Sequence, residues 1–470
     1  MKKKCIFLIL IIFLFGCAKK VEIQSEPKRE KIDWLNLKDE KSTTISLFFV
    51  TIDGKRLEGE NREIVYSSSE NIAFLAVNEL IKGPTNTRLQ NIMPDVELLN
   101  VSVSGNVANV DFGENFNLLD QGAQLRARAS IANTLIKLTD VEYVNIFVGG
   151  YPMHYYYNTL GAMGWLSGNL YDDYIIKIQQ ERDSFTSPSR IVLTYYFPDI
   201  TKRYLVCEAR EIIINDLFDY STNIIDELLI KGPSNQDMLT GLFVQKQGFP
   251  PPLVEISNFE PFQEYPDSTL LERLKIEINA EPVNDELTRA AITSSLQSFY
   301  TKNKIYNVAV FFDSNNLILS DDNFNTRTEY LDYIGQIIKI YFKHDDDKII
   351  AQDIVVPQNF TPDIIINELI NGPLTNESSA VFPSDVNNSD LISTHIAQDI
   401  VVVNFNKSLL KKCDILDNKA KTILIYSIVN SLCEIKGINR VMFLFDGNEI
   451  DTFGKLNLSF PLFKNPNIVF

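Results

Sequence analysis

The three histidines are the first residues to consider for chemistry, because imidazole is the commonest general base and metal ligand near neutral pH. His154, His344 and His395 share no common spacing. The sequence also contains no H-E-x-x-H, Gly-x-Ser-x-Gly or P-loop pattern. We therefore predict a protein that is not an enzyme, with no catalytic residues, no cofactor and no metal ion.

Acidic side chains offer a second kind of chemistry. Asp345, Asp346 and Asp347 form a run of carboxylates that lacks the alternating ligands and closing glutamate of a calcium loop. We interpret this run as a solvated turn between two strands. A pair of carboxylates of the glycosidase kind stays open among the 61 acidic residues, since no spacing selects one pair.

Aromatic side chains are concentrated between residues 151 and 174. Tyr155, Tyr156, Tyr157 and Trp165 stand in this stretch, together with several glycines. Amphipathic aromatic side chains suit protein and sugar surfaces, so these four residues form a candidate contact surface. The alternative is that the stretch packs against the part of the chain that precedes it.

The amino-terminal segment predicts export and a lipid anchor. A basic start is followed by the apolar run Ile6–Phe15, which is too short to span a bilayer and is typical of a secretory signal. The residues Leu14-Phe15-Gly16-Cys17 resemble the bacterial lipobox. This resemblance implies that residues 1–16 are removed and that Cys17 carries a lipid such as palmitate. Residues 17–42 are dense in charged side chains and predict a solvated tether.

The net charge restricts the class of partner, and the cysteine content restricts the number of disulfides. The net charge of −17 argues against nucleic acid, whose phosphates need a basic surface. Attachment to an anionic membrane would therefore depend on the lipid and not on charge. Cys207, Cys413 and Cys433 allow at most one disulfide, and whether Cys413 pairs with Cys433 is left open.

A short motif recurs three times along the chain. It spans Asn78–Pro84 in the first copy, Asp226–Pro233 in the second, where it is one residue longer, and Asn367–Pro373 in the third. Each copy predicts a short amphipathic helix that ends at a glycine in the left-handed conformation, after which proline blocks continuation. Ser67 and Glu70 are spaced as a capping box before the first helix.

The elements around this motif recur as well. Each copy has an upstream strand with two adjacent aromatic residues, a hairpin, a longer helix and a closing apolar strand. The aromatic pairs are Phe48-Phe49, Tyr196-Phe197 and Tyr341-Phe342; the longer helices are predicted over 121–138, 284–299 and 418–435; the closing strands are predicted over 144–148, 308–312 and 441–445. This order predicts an α+β fold of three tandem domains, each a small sheet with two packed helices.

The order of motifs resembles the GerMN domain of sporulation and spore germination lipoproteins. The resemblance depends on the helix that ends in Glu79-Leu80-Ile81-Lys82-Gly83-Pro84, on the hairpin from Leu99 to Phe112 and on Ile131-Ala132-Asn133-Thr134-Leu135 in the longer helix. It gives the following division: signal peptide, 1–16; lipidated cysteine and tether, 17–42; first repeat, 43–150; Tyr/Gly-rich linker, 151–189; diverged second repeat with a Pro-rich insertion at 248–266, 190–313; linker, 314–333; third repeat with a C-terminal extension, 334–470.

The resemblance also carries an expectation about function. It implies an extracytoplasmic lipoprotein, anchored to a bacterial membrane through Cys17, that acts as a non-enzymatic binding or assembly module of a cell-envelope complex. A role in sporulation or germination, with envelope proteins or a second copy of the chain as partners, is what the family suggests. A peptidoglycan-binding lipoprotein is the alternative, and a cell-wall hydrolase is the least favoured reading.

Overall fold

The computed structural model describes residues 32–139, 141–152, 189–214, 224–244, 252–262, 271–298, 305–312, 323–345 and 347–470. The chain divides into two compact units, residues 1–37 and 38–470. The described part of the first unit includes a 3-10 helix, Trp34–Asn36, and the second unit contains all three repeats. Among the described residues, no helix combines the length and the apolar character needed to cross a bilayer.

The first repeat consists of two small sheets and two helices. Its elements are β1 (Lys41–Thr51), β2 (Leu57–Tyr66), α1 (Ile72–Lys82), β3 (Leu89–Gln90), β4 (Leu98–Ser104), β5 (Val107–Phe112), α2 (Gln121–Leu138), β6 (Tyr143–Val148) and β7 (Tyr151–Pro152). Strand β1 pairs antiparallel with β2 and β3, and the other sheet has the order β4-β5-β6-β7. Strands β5 and β6 are parallel, with α2 as the crossover between them. Every residue of β5 is buried, as expected for a strand covered on both faces.

The second repeat follows the same order with one departure from the prediction. Its elements are β8 (Ser189–Pro198), β9 (Leu205–Ile214), a π-helical turn (Glu227–Lys231), β10 (Leu253–Phe262), β11 (Leu271–Asn279), α3 (Asp285–Gln297) and β12 (Ile305–Phe312). Strand β10 lies inside residues 248–266, so the interpretation of that stretch as a Pro-rich insertion is wrong for these residues. The strand pairs with β11, and its register shifts between Phe259 and Phe262, where Pro261 cannot donate a hydrogen bond.

The third repeat contains the most complete set of elements. They are β13 (Gly335–Lys343), β14 (Ile349–Pro357), α4 (Pro362–Asn371), β15 (Leu391–Ala397), β16 (Ile400–Phe405), α5 (Ser408–Lys412), α6 (Asn418–Leu432) and β17 (Arg440–Phe445), followed by β18 (Thr452–Phe453), β19 (Leu456–Asn457) and β20 (Leu462–Phe463). Strands β16 and β17 are parallel, and β20 extends their sheet at the edge of β17. The predicted α+β fold of three tandem repeats is confirmed, although the upstream hairpin of each repeat forms a separate sheet.

One hydrogen bond recurs in all three repeats and joins the long helix to the aromatic strand. In each repeat a backbone N–H of the aromatic pair donates to a hydroxyl on the long helix. The bonds run from Phe48 to Thr134 Oγ1 (3.0 Å), from Tyr196 to Ser295 Oγ (3.0 Å) and from Tyr341 to Ser431 Oγ (2.8 Å). The recurrence of the same bond places the second, more diverged repeat on the same structural plan as the other two.

The Gly-Pro motif ends the first helix of each repeat, but not in the conformation that we predicted. Gly83 has φ 87° and ψ 174°, Gly372 has φ 90° and ψ 175°, and Gly232 has φ 62° and ψ −167°. The positive φ is as expected, whereas the left-handed cap would need ψ near +47°. The proline that follows disfavours helical ψ in the residue before it. The result is a region of φ and ψ that only glycine adopts readily.

The start of α1 also differs from the prediction. Glu70 accepts hydrogen bonds from the backbone N–H and the hydroxyl of Ser67 at 2.7 and 2.9 Å, but both residues precede the helix. The N-cap is Asn71, whose side chain accepts from the N–H groups of Ala73 and Phe74. The predicted capping box is therefore a turn that precedes the helix. Asn71, which directly follows Glu70, caps the free N–H groups of the first helical turn instead.

The extra residue in the second copy of the motif is accommodated by the π-helical turn Glu227–Lys231. A π turn takes up one inserted residue without changing the direction of the helix. Leu228 stays buried and Leu229 packs against the core, as Leu80 and Ile81 do in the first repeat. Ile230 is the residue displaced outward, and it is 72% exposed.

The three repeats do not have fully separate cores. The apolar cluster of the second repeat includes Val107 from β5 of the first repeat and Val355 from β14 of the third. Tyr143 and Ile337 pack against the same cluster from these two neighbours. Burial of shared apolar surface stabilises the contacts between repeats as it does within one domain, so the three repeats form one packed unit.

Candidate functional site

The site residues predicted from the sequence fall outside the described residues. Cys17, the predicted lipid anchor, and the candidate contact surface of Tyr155, Tyr156, Tyr157 and Trp165 are all in this class. These assignments therefore stay predictions. The stretch does begin with β7, whose Pro152 pairs with Phe147 of β6, so its first residues pack on the first repeat.

The acidic run lies in the turn between β13 and β14. The backbone N–H of Asp347 donates to Asp345 Oδ1 at 2.9 Å, and Lys419 pairs with Asp347 at 2.9 Å. Asp346 is outside the described residues. In the part of the chain that the structure describes, no three His, Cys, Asp or Glu side chains are grouped so that they could hold a metal ion.

The cysteines form no disulfide among the described residues. Cys207 and Cys413 are buried and Cys433 is half-buried, and all three are free thiols. Burial raises the pKa of the Cys413 and Cys433 thiols to about 11, so little reactive thiolate is present at neutral pH.

A buried polar network joins the first and second repeats. Asn145 Nδ2 donates to Asn109 Oδ1 at 3.0 Å within the first repeat and to Thr194 Oγ1 of the second at 2.9 Å. Asn109 Nδ2 lies 3.8 Å from Cys207 Sγ, and the N–H of Cys207 donates to Ser104 Oγ at 3.1 Å. Since buried polar groups are costly without partners, these matched groups fix one relative placement of the two repeats.

Arg327 closes the same junction from the segment that was predicted as a linker. It starts the 3-10 helix Arg327–Tyr333, is fully buried, and places its guanidinium 3.7 Å from the centre of the Phe147 ring. Burial raises the pKa of nearby Asp111, while the N–H of Gly150, which donates to it at 2.9 Å, and the charge of Arg327 oppose that rise. The described part of this segment, residues 323–333, is thus part of the packed unit.

Hydrogen bonds from side chains to backbone groups join the first and third repeats. The side-chain amide of Gln358 accepts from the N–H of Val103 at 3.0 Å and donates to the carbonyl of Val103 at 2.8 Å, as a neighbouring strand would. Tyr66 donates its hydroxyl hydrogen to the carbonyl of Lys436 at 2.9 Å, and Lys436 Nζ donates to the carbonyl of Leu138.

Between these contacts lies a cleft of about 640 Å³, which we call the inter-repeat cleft. Its walls come from β1, the start of α1 and the end of α2 in the first repeat, and from β13, the residues after β14 and the residues after α6 in the third. Its main apolar lining residues are Tyr66, Val103, Ile337, Ile338, Phe360 and Ile435, and its charged lining residues are Lys41, Glu70, Lys137, Lys339, Asp353, Glu434 and Lys436.

Lys41 is the most unusual residue of the cleft. It is 4% exposed, and its Nζ lies 4.8 Å from the centre of the Tyr66 ring. Its Nζ donates no hydrogen bond to any residue that the structure describes. Burial lowers the pKa of this amine, and the charge of Asp39 partly opposes the change. Most of the other cleft charges are engaged: Asp353 pairs with Lys339 at 3.0 Å, and Glu434 accepts from Tyr341 at 2.7 Å.

A second feature is a pair of exposed apolar side chains at equivalent positions of the first and third repeats, which we call the apolar tips. Leu118 is 85% exposed and Ile415 is 78% exposed. Each is the last residue of a 3-10 helix between the return strand and the long helix, Glu114–Leu118 and Cys413–Ile415. Each is followed by an inward leucine and an aspartate that caps the long helix.

The sequence contained a signal for the apolar tips but not for the cleft. Leu118-Leu119-Asp120 and Ile415-Leu416-Asp417 match when the two repeats are aligned. The predicted tether, residues 17–42, includes Lys41, because this part of the sequence is dense in charged side chains. The structure instead begins β1 at Lys41 and buries it against the third repeat, with its Cβ and Cδ each 3.9 Å from the Cβ position at Gly437.

Comparison with known proteins finds a family similarity for two of the repeats. The Germane family model, described as sporulation and spore germination, matches residues 46–154 and 339–451. No curated protein matches the chain. These matched stretches correspond to the first and third repeats, which share the apolar tips and form the two walls of the inter-repeat cleft.

Solved structures are similar to this chain at low identity. The tandem GerMN domains of the sporulation protein GerM from Bacillus subtilis are 16% identical, over 61% of this chain and 97% of that chain, with a TM-score of 0.23. The first GerMN domain of the same protein is 18% identical, over 24% and 86%, with a TM-score of 0.21. A candidate lipoprotein from Clostridium perfringens is 25% identical, over 28% and 88%, with a TM-score of 0.18.

The motifs that suggested the resemblance, namely the helix ending in Gly-Pro, the hairpin and the longer helix, lie inside both matched stretches. The first and third repeats therefore match the Germane family model, described as sporulation and spore germination, over residues 46–154 and 339–451.

Proposed function

We propose that this chain is an extracytoplasmic lipoprotein that acts without catalysis, as a binding and assembly module of a cell-envelope complex. Its lipid is carried by Cys17, and the charged residues between Cys17 and β1 form a tether with an average reach of about 25 Å. The packed repeats then stand off the membrane as one body that meets other envelope proteins. The family of the first and third repeats supports a role related to sporulation or germination.

The observation that carries this proposal is the recurrence of the apolar tips. A single exposed leucine needs no explanation on a protein surface. Two repeats that have diverged elsewhere nevertheless keep a large aliphatic residue at the same exposed position. The neighbours have folding roles, since Leu119 and Leu416 pack on the cores and Asp120 and Asp417 cap the helices. Leu118 and Ile415 have no comparable folding role, so contact with another protein surface explains their retention.

Crosslinking in intact cells tests this proposal with a matched control. We would crosslink the full lipidated chain and compare it with the double variant Leu118→Asp/Ile415→Asp and with Ile52→Asp. Ile52 is 69% exposed in the turn after β1 and has no equivalent in the third repeat. We expect the double variant to lose about 90% of a specific crosslinked partner or self-product, since a charge at a contact centre weakens binding about tenfold or more.

The control variant should retain the crosslinked product, and all variants should melt within about 2 °C of the native chain, because exposed substitutions change stability little. An unchanged crosslinking pattern in the double variant would contradict the proposal. Substitution of Cys17 by alanine should release the protein from the membrane fraction, and retention of that variant would contradict the predicted anchor.

A peptidoglycan-binding lipoprotein is the second candidate, and the inter-repeat cleft is the observation that favours it. Its volume of about 640 Å³ and its mixture of polar and apolar walls suit a segment of glycan or peptide. Co-sedimentation of the full chain with purified, insoluble peptidoglycan tests this candidate. Binding that is unaffected by the apolar-tip substitutions would favour it over the assembly role.

A further inference from the structure

We propose that the inter-repeat cleft is a binding site for a small ligand that carries one carboxylate on an apolar body, with the carboxylate placed on the Lys41 ammonium. This inference goes beyond the assembly role and does not depend on which protein contacts the apolar tips. The ligand chemistry has two natural sources, the carboxyl terminus of a peptide with an apolar last residue and a free fatty acid.

The charge of Lys41 is the first argument. Lys41 is 4% exposed as a residue, so its ammonium loses part of its hydration, and the face of the Tyr66 ring replaces only some of that loss. No described residue accepts a hydrogen bond from its Nζ. A charged hydrogen-bonding group in this position is expensive to leave unmatched. An anionic ligand in the cleft would supply the acceptor.

The apolar walls define the rest of the ligand. Val103 of the first repeat and Ile337, Ile338, Phe360 and Ile435 of the third face the same cleft as Lys41. Sites for small organic ligands combine such walls with a few placed polar groups, and the cleft volume lies in their usual range of about 300 to 1,000 Å³. A ligand with an apolar body is therefore a better match than a fully polar one.

The surrounding charges favour a ligand with a single negative charge. Asn71 and Ile72 bring the positive end of α1 to the cleft, which favours an anion. Asp39 lies close enough to Lys41 to affect it, and Glu70 lines the cleft. These carboxylates would repel a doubly charged phosphate. Asp353 and Glu434 are paired with Lys339 and Lys464 and do not leave a free cation site.

The two glutamine amides of the cleft have other partners. Gln358 is held by Val103, and Gln336 donates to the carbonyl of Pro357 at 3.3 Å. Lys436 is engaged with Leu138. Lys41 is thus the charged group of the cleft walls that is both buried and without a hydrogen-bond acceptor among the described residues, so it determines where the carboxylate binds.

Calorimetric titration of the full lipidated chain in detergent tests the proposal with paired probes. The peptide pair is N-acetyl-leucyl-phenylalanine and its carboxyl-terminal amide, and the lipid pair is octanoate and octanol. Each pair keeps the same apolar body and replaces the carboxylate by a neutral polar group. We expect at least one acid to bind about tenfold or more tightly than its neutral partner, which is the usual effect of a charged hydrogen bond. The pair that shows the difference identifies the source.

Three variants separate a binding role from a structural one. Lys41→Met should abolish the preference for the acid and raise the melting temperature, because an apolar side chain replaces a buried unmatched charge. Lys41→Arg should keep the preference, and Lys55→Met, at an exposed turn of the same repeat, should change neither property. Failure of all four probes to bind, equal binding of acid and neutral probes, or native binding by Lys41→Met would overturn the proposal.

Discussion

Arg203 of the second repeat forms an ion pair with Glu368 of the third, at 2.8 Å. Glu368 occupies the place in the Glu-Leu-Ile-x-Gly-Pro motif that Glu79 occupies in the first repeat, where Arg62 of the same repeat pairs with it at 2.7 Å. The strand registers place Ile354 where the first repeat has Arg62. The third repeat therefore has the same carboxylate, but its cation comes from the second repeat. The ion pair lies within one repeat in the first case and joins two repeats in the second.

The first prediction concerns this pair. Replacing Arg203 by methionine leaves the buried Glu368 unpaired, so we expect a loss in the free energy of unfolding of about 1–2 kcal/mol. The estimate is kept small because the Arg203 side chain is 42% exposed and solvent screens the pair. The double variant Arg203→Met/Glu368→Gln should be at least as stable as Arg203→Met alone. Urea unfolding of the four proteins of the cycle measures this, and a coupling energy of zero would contradict it.

The second prediction concerns pH and the Arg62 cluster. Arg62 contacts Glu60 at 2.6 Å, Glu79 at 2.7 Å and the carbonyl of Gly83 at 2.9 Å. Burial would raise the pKa of both carboxyls, but hydrogen bonds from Arg62 and from neighbouring groups outweigh it and hold each pKa below its ordinary value of 4.5. The stabilisation is therefore present above about pH 4.5 and is lost as the pH falls through the lower folded-state pKa values.

We expect Arg62→Met to lower the free energy of unfolding by about 2–3 kcal/mol at pH 7. The difference from the native chain should shrink as the pH falls below 4.5, when the two carboxyls become protonated. Urea unfolding at pH 7 and at lower pH measures both values. Arg56→Met removes an exposed pair with Glu58 and should have little effect at either pH. A difference that stays constant with pH would contradict this interpretation.

The third prediction separates backbone strain from steric overlap in the Gly-Pro motif. A Cβ at Gly232 would meet no atom within 4 Å, and one at Gly372 would meet Ala380 at 3.7 Å. At Gly83 it would lie 2.8 Å from the Asn91 side chain, which donates to the carbonyl of Ile81. We expect Gly232→Ala and Gly372→Ala to destabilise by about 1–3 kcal/mol and Gly83→Ala by more. Thermal unfolding gives the order, and equal effects at all three positions would contradict it.

The fourth prediction tests the hydrogen bond that recurs between the aromatic strand and the long helix. Ser431→Ala removes the acceptor for the buried N–H of Tyr341 and should destabilise by about 1–3 kcal/mol. Ser427, one turn earlier on α6, provides a matched control, because its buried hydroxyl has no hydrogen-bond partner among the described residues. Ser427→Ala should be neutral or slightly stabilising. Equal losses in chemical unfolding of the two variants would show that the recurring bond has no special role.

Local signals explain which elements could be predicted from the sequence. The bounds predicted for α2 agree with the structure, because Asp120 caps its first turn and an apolar stripe follows. The buried closing strands and the aromatic pairs were predicted for similar reasons. The second repeat was harder, because Pro261 interrupts the alternation of β10 and an inserted residue lengthens the helical motif.

The inter-repeat contacts could not be predicted in the same way. The burial of Lys41 depends on residues near position 437, and the Gln358 bonds depend on Val103, which is 255 residues away along the chain. No local period or spacing encodes such pairs. The apolar tips could be predicted in part. Their recurrence is visible in the sequence, whereas their exposure is seen only in the structure.

The π-helical turn of the second repeat shows how the motif accommodates a change in length. The motif there differs from its two relatives by one residue, and Ile230 is the residue that the turn displaces into solvent. One inserted residue accounts for this arrangement, because Leu228 and Leu229 occupy the inward positions that Leu80 and Ile81 occupy in the first repeat. Deletion of Ile230 should restore an α-helical end to this motif. The helix that precedes Gly-Pro is therefore a place where these repeats can change length by one residue and still fold.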